Sequence, residues 1–356
     1  MRRWPSWIPV RATSLGLVLV GAVCAGAIGA PFVAPHAGDE SFPDLLNAPP
    51  TMPHVVEGGR LRAPFIHPWK IASRLEQRYE QDPTVAVPLT WFSGGHLVES
   101  SDDRRAPLLL FGGDSYGRDV FSRLLFGARV SIGLAIAAAL GAVLVGGLAG
   151  AVAGYAGGTL DEVLMRATEV VMVLPAMYVV LALRAVLPPV LAPSAVFLFL
   201  VGIFAVVGAP FVSRGVRGIV LTERRSEYAS AALSLGAGHG RVLGRHLLPA
   251  ARGFVAVQIT TLVPAFIVAE ATLSYVGFGF SEPMATWGTM LHEASNIRTF
   301  ADFPWLLSPA AAIFFFVLGL NLVLEGSPAT LHYNDVDGSH RRPDPDSDAV
   351  RRARRG

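Results

Sequence analysis

Apolar residues in this chain come in long, uninterrupted runs. No charged residue occurs from Val130 to Leu160, from Ala185 to Ser213 or from Phe303 to Leu324. About 20 apolar residues cross a bilayer core as a helix, so runs of this length predict membrane spans. Six are expected, over Leu15–Val33, Val130–Tyr155, Ala167–Leu187, Ser194–Val212, Phe254–Tyr275 and Trp305–Leu324. The fold class predicted is therefore an all-α polytopic membrane protein with six transmembrane helices. Pro175 and Pro264 fall inside spans and predict kinks.

Two segments do not fit a membrane. Residues His36–Leu110 are polar and hold nine prolines, which predicts a loop-rich insert with one short helix over Lys70–Gln81. From Ser327 onward, Asp335, Asp337, Asp344, Asp346 and Asp348 accompany a group of arginines. That composition predicts a disordered tail. Four parts follow: 1–35 with the first span, the insert over 36–113, a five-span core over 114–326, and the tail over 327–356.

Arginine placement orients the spans. The loop after the fourth span carries Arg214, Arg217, Arg224, Arg225, Arg241, Arg245 and Arg252, and the tail carries Arg341, Arg342, Arg351, Arg352, Arg354 and Arg355. The loop around Pro188–Pro193 has none, and the loop between the fifth and sixth spans has Arg298. Both termini and the Arg-rich loop are expected to be cytoplasmic, and the insert extracytoplasmic.

Composition sharpens this picture. Of 356 residues 16% are charged, against about 25% in soluble domains, and mean hydropathy is +0.48. That balance argues against a cytosolic enzyme. The net charge of +2 says little as a total. A single cysteine, Cys24, leaves no disulfide within the chain and no Cys-based zinc site. Basic residues before the first run would suit a cleaved signal peptide, but the run exceeds the usual 7–15-residue core. Lys70 is the sole lysine, so the Gly-Lys-Ser/Thr of a phosphate-binding loop is missing and the chain holds no ATPase motif. His292-Glu293 lacks the second histidine of a zincin, so no metal site is expected. No nucleic-acid module is present, and the tail arginines suit an orientation signal or lipid contact.

The Arg-rich loop holds the most informative motif. Over Tyr228–Leu235, apolar residues recur at Tyr228, Ala231, Ala232 and Leu235, the spacing of one helix face. Gly236 would close that helix, and a second helix would run to Leu248, ended by Pro249. Taken alone this is a basic amphipathic hairpin on the membrane surface. Ser230-Ala231-Ala232, Gly236 four positions later and Leu248-Pro249 thirteen positions beyond that resemble more closely the EAA loop of ABC importer permeases. Two departures are Ser230 in place of the pattern's first Glu and Gly238-His239-Gly240 where a capping Ser or Asp is common.

Two further stretches narrow the resemblance to the dipeptide/oligopeptide/nickel permeases. One is Gly112–Ile132, with Gly117, Arg118, Asp119, Arg123, Gly127 and Arg129, and with Gly113 where the pattern has Thr. The other runs from Ala269-Glu270 through Ser274, Gly277 and Gly279 to Pro283 and Trp287-Gly288. The resemblance covers Gly112 to the end of the sixth span; the insert is longer than the family's and is expected to add little to membrane assembly. It implies a permease subunit of an ATP-driven importer in the bacterial inner membrane, with both termini cytoplasmic. It also implies a second permease subunit (usually a paralogue), two ATPase subunits binding ATP and Mg, and an extracytoplasmic substrate-binding protein. Peptides or related small solutes are the implied cargo, and no cofactor is expected in this chain. The implied ATPase-coupling residues are Glu227, Ala231, Ala232, Gly236, Ala237, Leu248 and Pro249.

On its own terms the stretch before the second span places Val120, Phe121, Leu124, Leu125 and Ala128 on one helical side. Arg118, Ser122 and Arg129 then face elsewhere, and Asp119 with Arg123 is an i,i+4 pair. An interfacial helix leading into the span is expected. Glu270 is the deepest charge, with Glu169, Arg184 and Glu325 nearer span ends. It would either line a translocation path or bond Ser or Thr on a neighbouring helix. Two competing functions stay open at this stage. A proton-coupled secondary transporter would use Glu270 as its carrier. A membrane-anchored serine hydrolase would read Gly113-Asp114-Ser115-Tyr116-Gly117 as a G-x-S-x-G nucleophile elbow.

Overall fold

The computed structural model describes residues 7–57, 59–74, 76–175, 178–180, 182, 191–295 and 301–325. Most of the second half of the third expected span, Arg184, Arg298 and the tail from Ser327 lie outside these residues. The described chain is mostly helical. α1 (Trp7–Ile28) and a short α2 (Ala30–Val33) come first. After the insert come α3 (Val120–Ala156), α4 (Gly158–Val173) and α5 (Pro193–Glu223). Then follow α6 (Glu227–Ser234), α7 (His239–Val242), α8 (Arg252–Tyr275), α9 (Trp287–Glu293) and α10 (Ser308–Glu325).

Among the described residues, four helical stretches are long and apolar enough to cross a membrane: Val120–Ala156, Pro193–Glu223, His239–Tyr275 and Pro304–Leu324; Ala12–Ile28 adds a shorter apolar helix. The protein is a polytopic membrane protein. Several helices outrun the apolar stretches that predicted them. α5 continues past Val212 through Arg214 and Arg217 to Glu223, because a helix ends where its backbone bonds end rather than where hydropathy falls.

α3 and α5 pack by backbone contact. Ala138, Ala142, Gly146, Gly150 and Gly154 repeat every four residues on α3, all buried, and the last four face Gly208, Ala209, Ser213 and Arg217 on α5. A Cβ on Gly146 or Gly150 would overlap the carbonyl oxygen of Ala209 or Ser213. Small-xxx-small stripes of this kind let membrane helices approach closely. Gly16 and Gly319 do the same between α1 and α10.

The insert is built of strands, which corrects the loop-rich expectation. β1 (His54–Glu57), β2 (Arg60–Ile66), β5 (Val87–Ser93) and β6 (His96–Ser100) form an antiparallel sheet in the order β1-β2-β5-β6. β3 (Trp69–Ser73) and β4 (Arg78–Gln81) form a hairpin where a helix was predicted. Lys70 Nζ sits 2.6 Å from Asp82 and Tyr79 donates to the Leu46 carbonyl at 2.6 Å. Such tertiary bonds override the helical propensity of this stretch. Ile66, Val87, Leu89, Ala106 and Leu108 give the insert a small core of its own.

The base of the insert is stitched to the membrane part, so it is not a free appendage. Backbone bonds join Phe42 to Gly117 and Asn47 to Asp114, both at 2.8 Å, and within the insert's base Gly113 bonds Ala48 at 2.8 Å and Thr51 bonds Leu109 at 2.7 Å. Gly117, at φ +74°, lies so close to Phe42 that a Cβ there would overlap the Phe42 carbonyl. Removing Phe42–Asp103 would cut through these bonds.

Candidate functional site

The loop after α5 folds as a helix, a sharp turn and a second helix. α6 ends at Gly236, whose φ of +82° is one that L side chains rarely adopt. Ala237 N–H donates to the Ala232 carbonyl at 3.0 Å and Gly236 N–H to the Leu233 carbonyl at 2.9 Å. Those are the paired bonds of a Schellman turn. Gly238, at φ −65°, is instead the residue before α7, so Gly236 alone among the three nearby glycines reverses the chain.

Ala229 is the buried side chain of α6, and Ala232 and Ala237 are partly buried against the same apolar core. The face predicted from spacing therefore points partly outward. Glu227, Tyr228 and Ala231 are exposed, and Leu235 is 89% exposed. The second helix also departs from expectation. α7 passes through a π-helical turn (Leu243–Leu247) and a 3-10 turn (Leu248–Ala251) straight into α8. Pro249 does not end it: it occupies the start of the 3-10 turn, where its missing N–H is tolerated. The turn rests on α3, where the Tyr155 hydroxyl and His239 Nδ1 lie 2.6 Å apart and Arg224 stacks over the Tyr155 ring.

At the other end of α3 lies a buried ionic cluster. Arg118 Nε donates to Asp114 Oδ2 at 2.6 Å, and its other nitrogens meet Glu282 and Glu293. Arg123 Nη2 donates to Glu282 Oε1 at 3.1 Å and Nη1 to the Gly38 carbonyl at 3.3 Å. Glu293 accepts both the backbone N–H and the hydroxyl of Ser115 at 2.5 Å. Burial and the Asp114 carboxylate push Glu293 above the usual carboxylate range, against the Ser115 bonds and Arg118. The cluster borders a cavity of about 480 Å³ that also takes in Tyr116, Phe280 and His292.

Three expectations are corrected here. Arg118 and Ser122, expected to face away from the apolar side, are buried, as is Arg123. Asp119 does not pair with Arg123; its carboxylate caps α3 through Phe121 N–H and Ser122 N–H and bonds the Ser122 hydroxyl. The interfacial helix is the first turns of α3 itself, because that cap lets one helix run unbroken into the span. Arg129 stays exposed. His36, from the root of the insert, closes the cap with Nδ1 3.4 Å from Asp119 and Nε2 3.1 Å from Asp103. Burial opposes its charge, but the two carboxylates outweigh it and raise its pKa to about 9.

Glu270 is fully buried where α3, α8 and α9 meet. It accepts from Ser131 at 2.9 Å and from Ser274 at 2.8 Å. Those hydroxyls in turn accept Trp287 N–H at 3.2 Å and Phe280 N–H at 3.1 Å. The carboxylate thus holds the segment that leads from α8 into α9.

Residues 142–329, just over half the chain, match the family model described as binding-protein-dependent transport system inner membrane component. The chain belongs to that family. It is similar to the oligopeptide transport system permease protein of Bacillus subtilis, 37% identical over 217 residues, which is 61% of this chain and 68% of the relative. A dipeptide transport system permease protein of the same organism is 38% identical over 61% of this chain and 66% of its own length. The glutathione transport system permease protein of Pectobacterium atrosepticum is 34% identical over 60% and 69%. The chain is the permease subunit of an ABC importer and not its ATPase.

The hydrolase reading of this permease fails on geometry. Ser115 Oγ is bonded to Glu293, not to a histidine, and every sheet among the described residues is antiparallel, whereas a nucleophile elbow needs a parallel α/β sheet. Glu169 lies exposed between Arg166 and Arg214. Sequence reasoning missed Glu282 and Glu293 as partners of Arg118 and Arg123. The available signal was charge balance: two buried arginines ahead of a membrane span need acids from elsewhere in the chain. It also missed Tyr155 and His239, whose pairing has no local signature.

Proposed function

We propose that this permease forms a translocation path with a second permease subunit, a paralogue, and is driven by two ATPase subunits that bind ATP and Mg. An extracytoplasmic binding protein delivers the cargo. Peptides or related small solutes are the cargo class, supported by relatives whose names specify oligopeptide, dipeptide and glutathione transport. The chain crosses the bacterial inner membrane six times with both termini cytoplasmic. The observation that carries this reading is the exposed turn at Gly236, flanked by exposed Tyr228, Leu233 and Leu235. An apolar knuckle beside a rigid turn suits a protein groove better than water. Glu227, Ala231, Ala232, Ala237, Leu248 and Pro249 are the further residues that would carry the coupling to the ATPase. Movement of the ATPases would pass through it into α8, which is continuous with the loop, and switch the path between two states.

Glu270 serves in this scheme as a brace between α8 and α9 rather than as a proton carrier. The assembled importer, reconstituted without any ion gradient, should take up radiolabelled oligopeptides when given ATP and binding protein. Uptake that requires a proton gradient and ignores ATP would favour a secondary transporter.

Orientation has its own test. With Cys24→Ala as background, Ser73→Cys should react with an impermeant thiol reagent in intact cells, and Ser226→Cys only after the membrane is opened. Labelling of Ser226→Cys in intact cells would reverse the topology.

A further inference from the structure

The insert carries an aromatic tip that the transport scheme leaves unused. Trp91 and Phe92 close β5 just before the Gly94-Gly95 turn, and they are 54% and 73% exposed. Val87 and Leu89, earlier on the same strand, point into the insert's core; the two aromatics do not. Phe92 also sits at φ +55°, a left-handed conformation that is costly for an aromatic residue and is held only where its surroundings demand it.

The tip is fixed beside the outer end of α1. The Phe92 ring lies 6.1 Å from that of Phe32, and His96 Nδ1 lies 2.7 Å from the Ala34 carbonyl. One strand of the hairpin is thus tied by an aromatic pair and the other by a polar contact, to residues two positions apart. Phe32 lies four residues beyond the apolar helix Ala12–Ile28, in the short helix that continues from it. About 20 residues at 1.5 Å each bring a helix from one edge of the apolar layer to the other. Phe32 therefore stands at the outer edge of that layer, and Trp91 and Phe92 stand beside it.

We propose that the β5–β6 hairpin rests on the outer leaflet, with Trp91 and Phe92 inserted among the lipid headgroups next to Phe32. The occupant of this face is lipid. Tryptophan and other amphipathic rings collect at that depth of a bilayer, and the face is continuous with the lipid-facing end of α1, where Ile28 is 79% exposed. The contact would hold the insert at a set height above the transport path. It rests on α1 being the first span with its outer end at Phe32.

Phe92→Cys and Trp91→Cys, each with Cys24→Ala and each labelled with an environment-sensitive fluorophore, test it in the reconstituted assembly. The vesicles contain phosphatidylethanolamine and phosphatidylglycerol, with a nitroxide placed either near the headgroup or near the chain end. Strong loss of fluorescence with the shallow nitroxide, little with the deep one and little with aqueous iodide is the expected result at both positions. Free quenching by iodide with no loss to either nitroxide would overturn the proposal. Protection that needs added binding protein, or that persists in detergent with only the second permease present, would also overturn it and assign the tip to a protein partner. A label at Ser73→Cys separates the two layers of inference. If Ser73 is reached from outside but the tip is not quenched by lipid, this proposal fails alone. If Ser73 is not reached, the topology fails with it.

Discussion

Gly236→Arg is expected to abolish uptake while leaving the permease in the membrane at wild-type abundance. Nothing lies within 4 Å of the place where a side chain on Gly236 would begin, so the arginine fits sterically. A non-glycine residue at φ +82° costs roughly 1 kcal/mol in backbone strain, too little to unfold a chain of this size. Docking is another matter. If the turn enters a groove on the ATPase, an unpaired buried charge costs several kcal/mol, about a thousandfold in affinity. Recovery of the ATPase with the permease should fall accordingly. Gly236→Ala meets only the backbone cost and should keep most activity. Gly238→Arg and Gly240→Arg place the same charge at positions without positive φ, and should impair uptake less than Gly236→Arg. Normal transport by Gly236→Arg at normal abundance would remove this loop as the coupling element.

Much of the membrane part was legible because its signal is additive: each apolar residue in a run adds to the same conclusion. Helix ends were not, because they depend on single bonds. Asp119 extends α3 ten residues ahead of Val130 by accepting Phe121 and Ser122 N–H, and hydropathy carries no trace of that. The turn at Gly236 was readable since glycine is the residue such a φ selects. The direction in which α6 faces was not, because Ala229 and Ala231 differ only in what they meet. The hairpin at Lys70–Gln81 shows the same limit from the other side. Its residues favour a helix in isolation, and Lys70–Asp82 and Tyr79–Leu46 contacts made elsewhere in the fold decide against it. Buried charge was the hardest to read. Arg118 finds Glu282 and Glu293 more than 150 positions away, and no local spacing announces such a meeting.

The stripe of small residues on α3 could have been read and was not, since a run of glycine and alanine looks like any other apolar span. It supports the second large effect. Gly150→Leu should remove most of the protein from the membrane fraction. Its Cβ would overlap the Ser213 carbonyl oxygen and crowd the Ser213 backbone, so no rotamer relieves the clash. The two helices would have to separate along their whole contact. Ordinary overpacking costs about 1–3 kcal/mol because a side chain gives way; here the obstacle is backbone, and the loss should exceed that range. Against a total stability of about 5–15 kcal/mol, the variant should be degraded in cells and melt early in detergent. Gly147, three residues earlier on the same helix, has nothing within 4 Å of its Cβ position. Gly147→Leu should accumulate normally and gain up to about 1 kcal/mol of helix propensity. Immunoblots of membrane fractions and thermal unfolding of the purified variants compare the two directly. Equal abundance and equal melting of both would mean that α3 and α5 do not pack through this stripe.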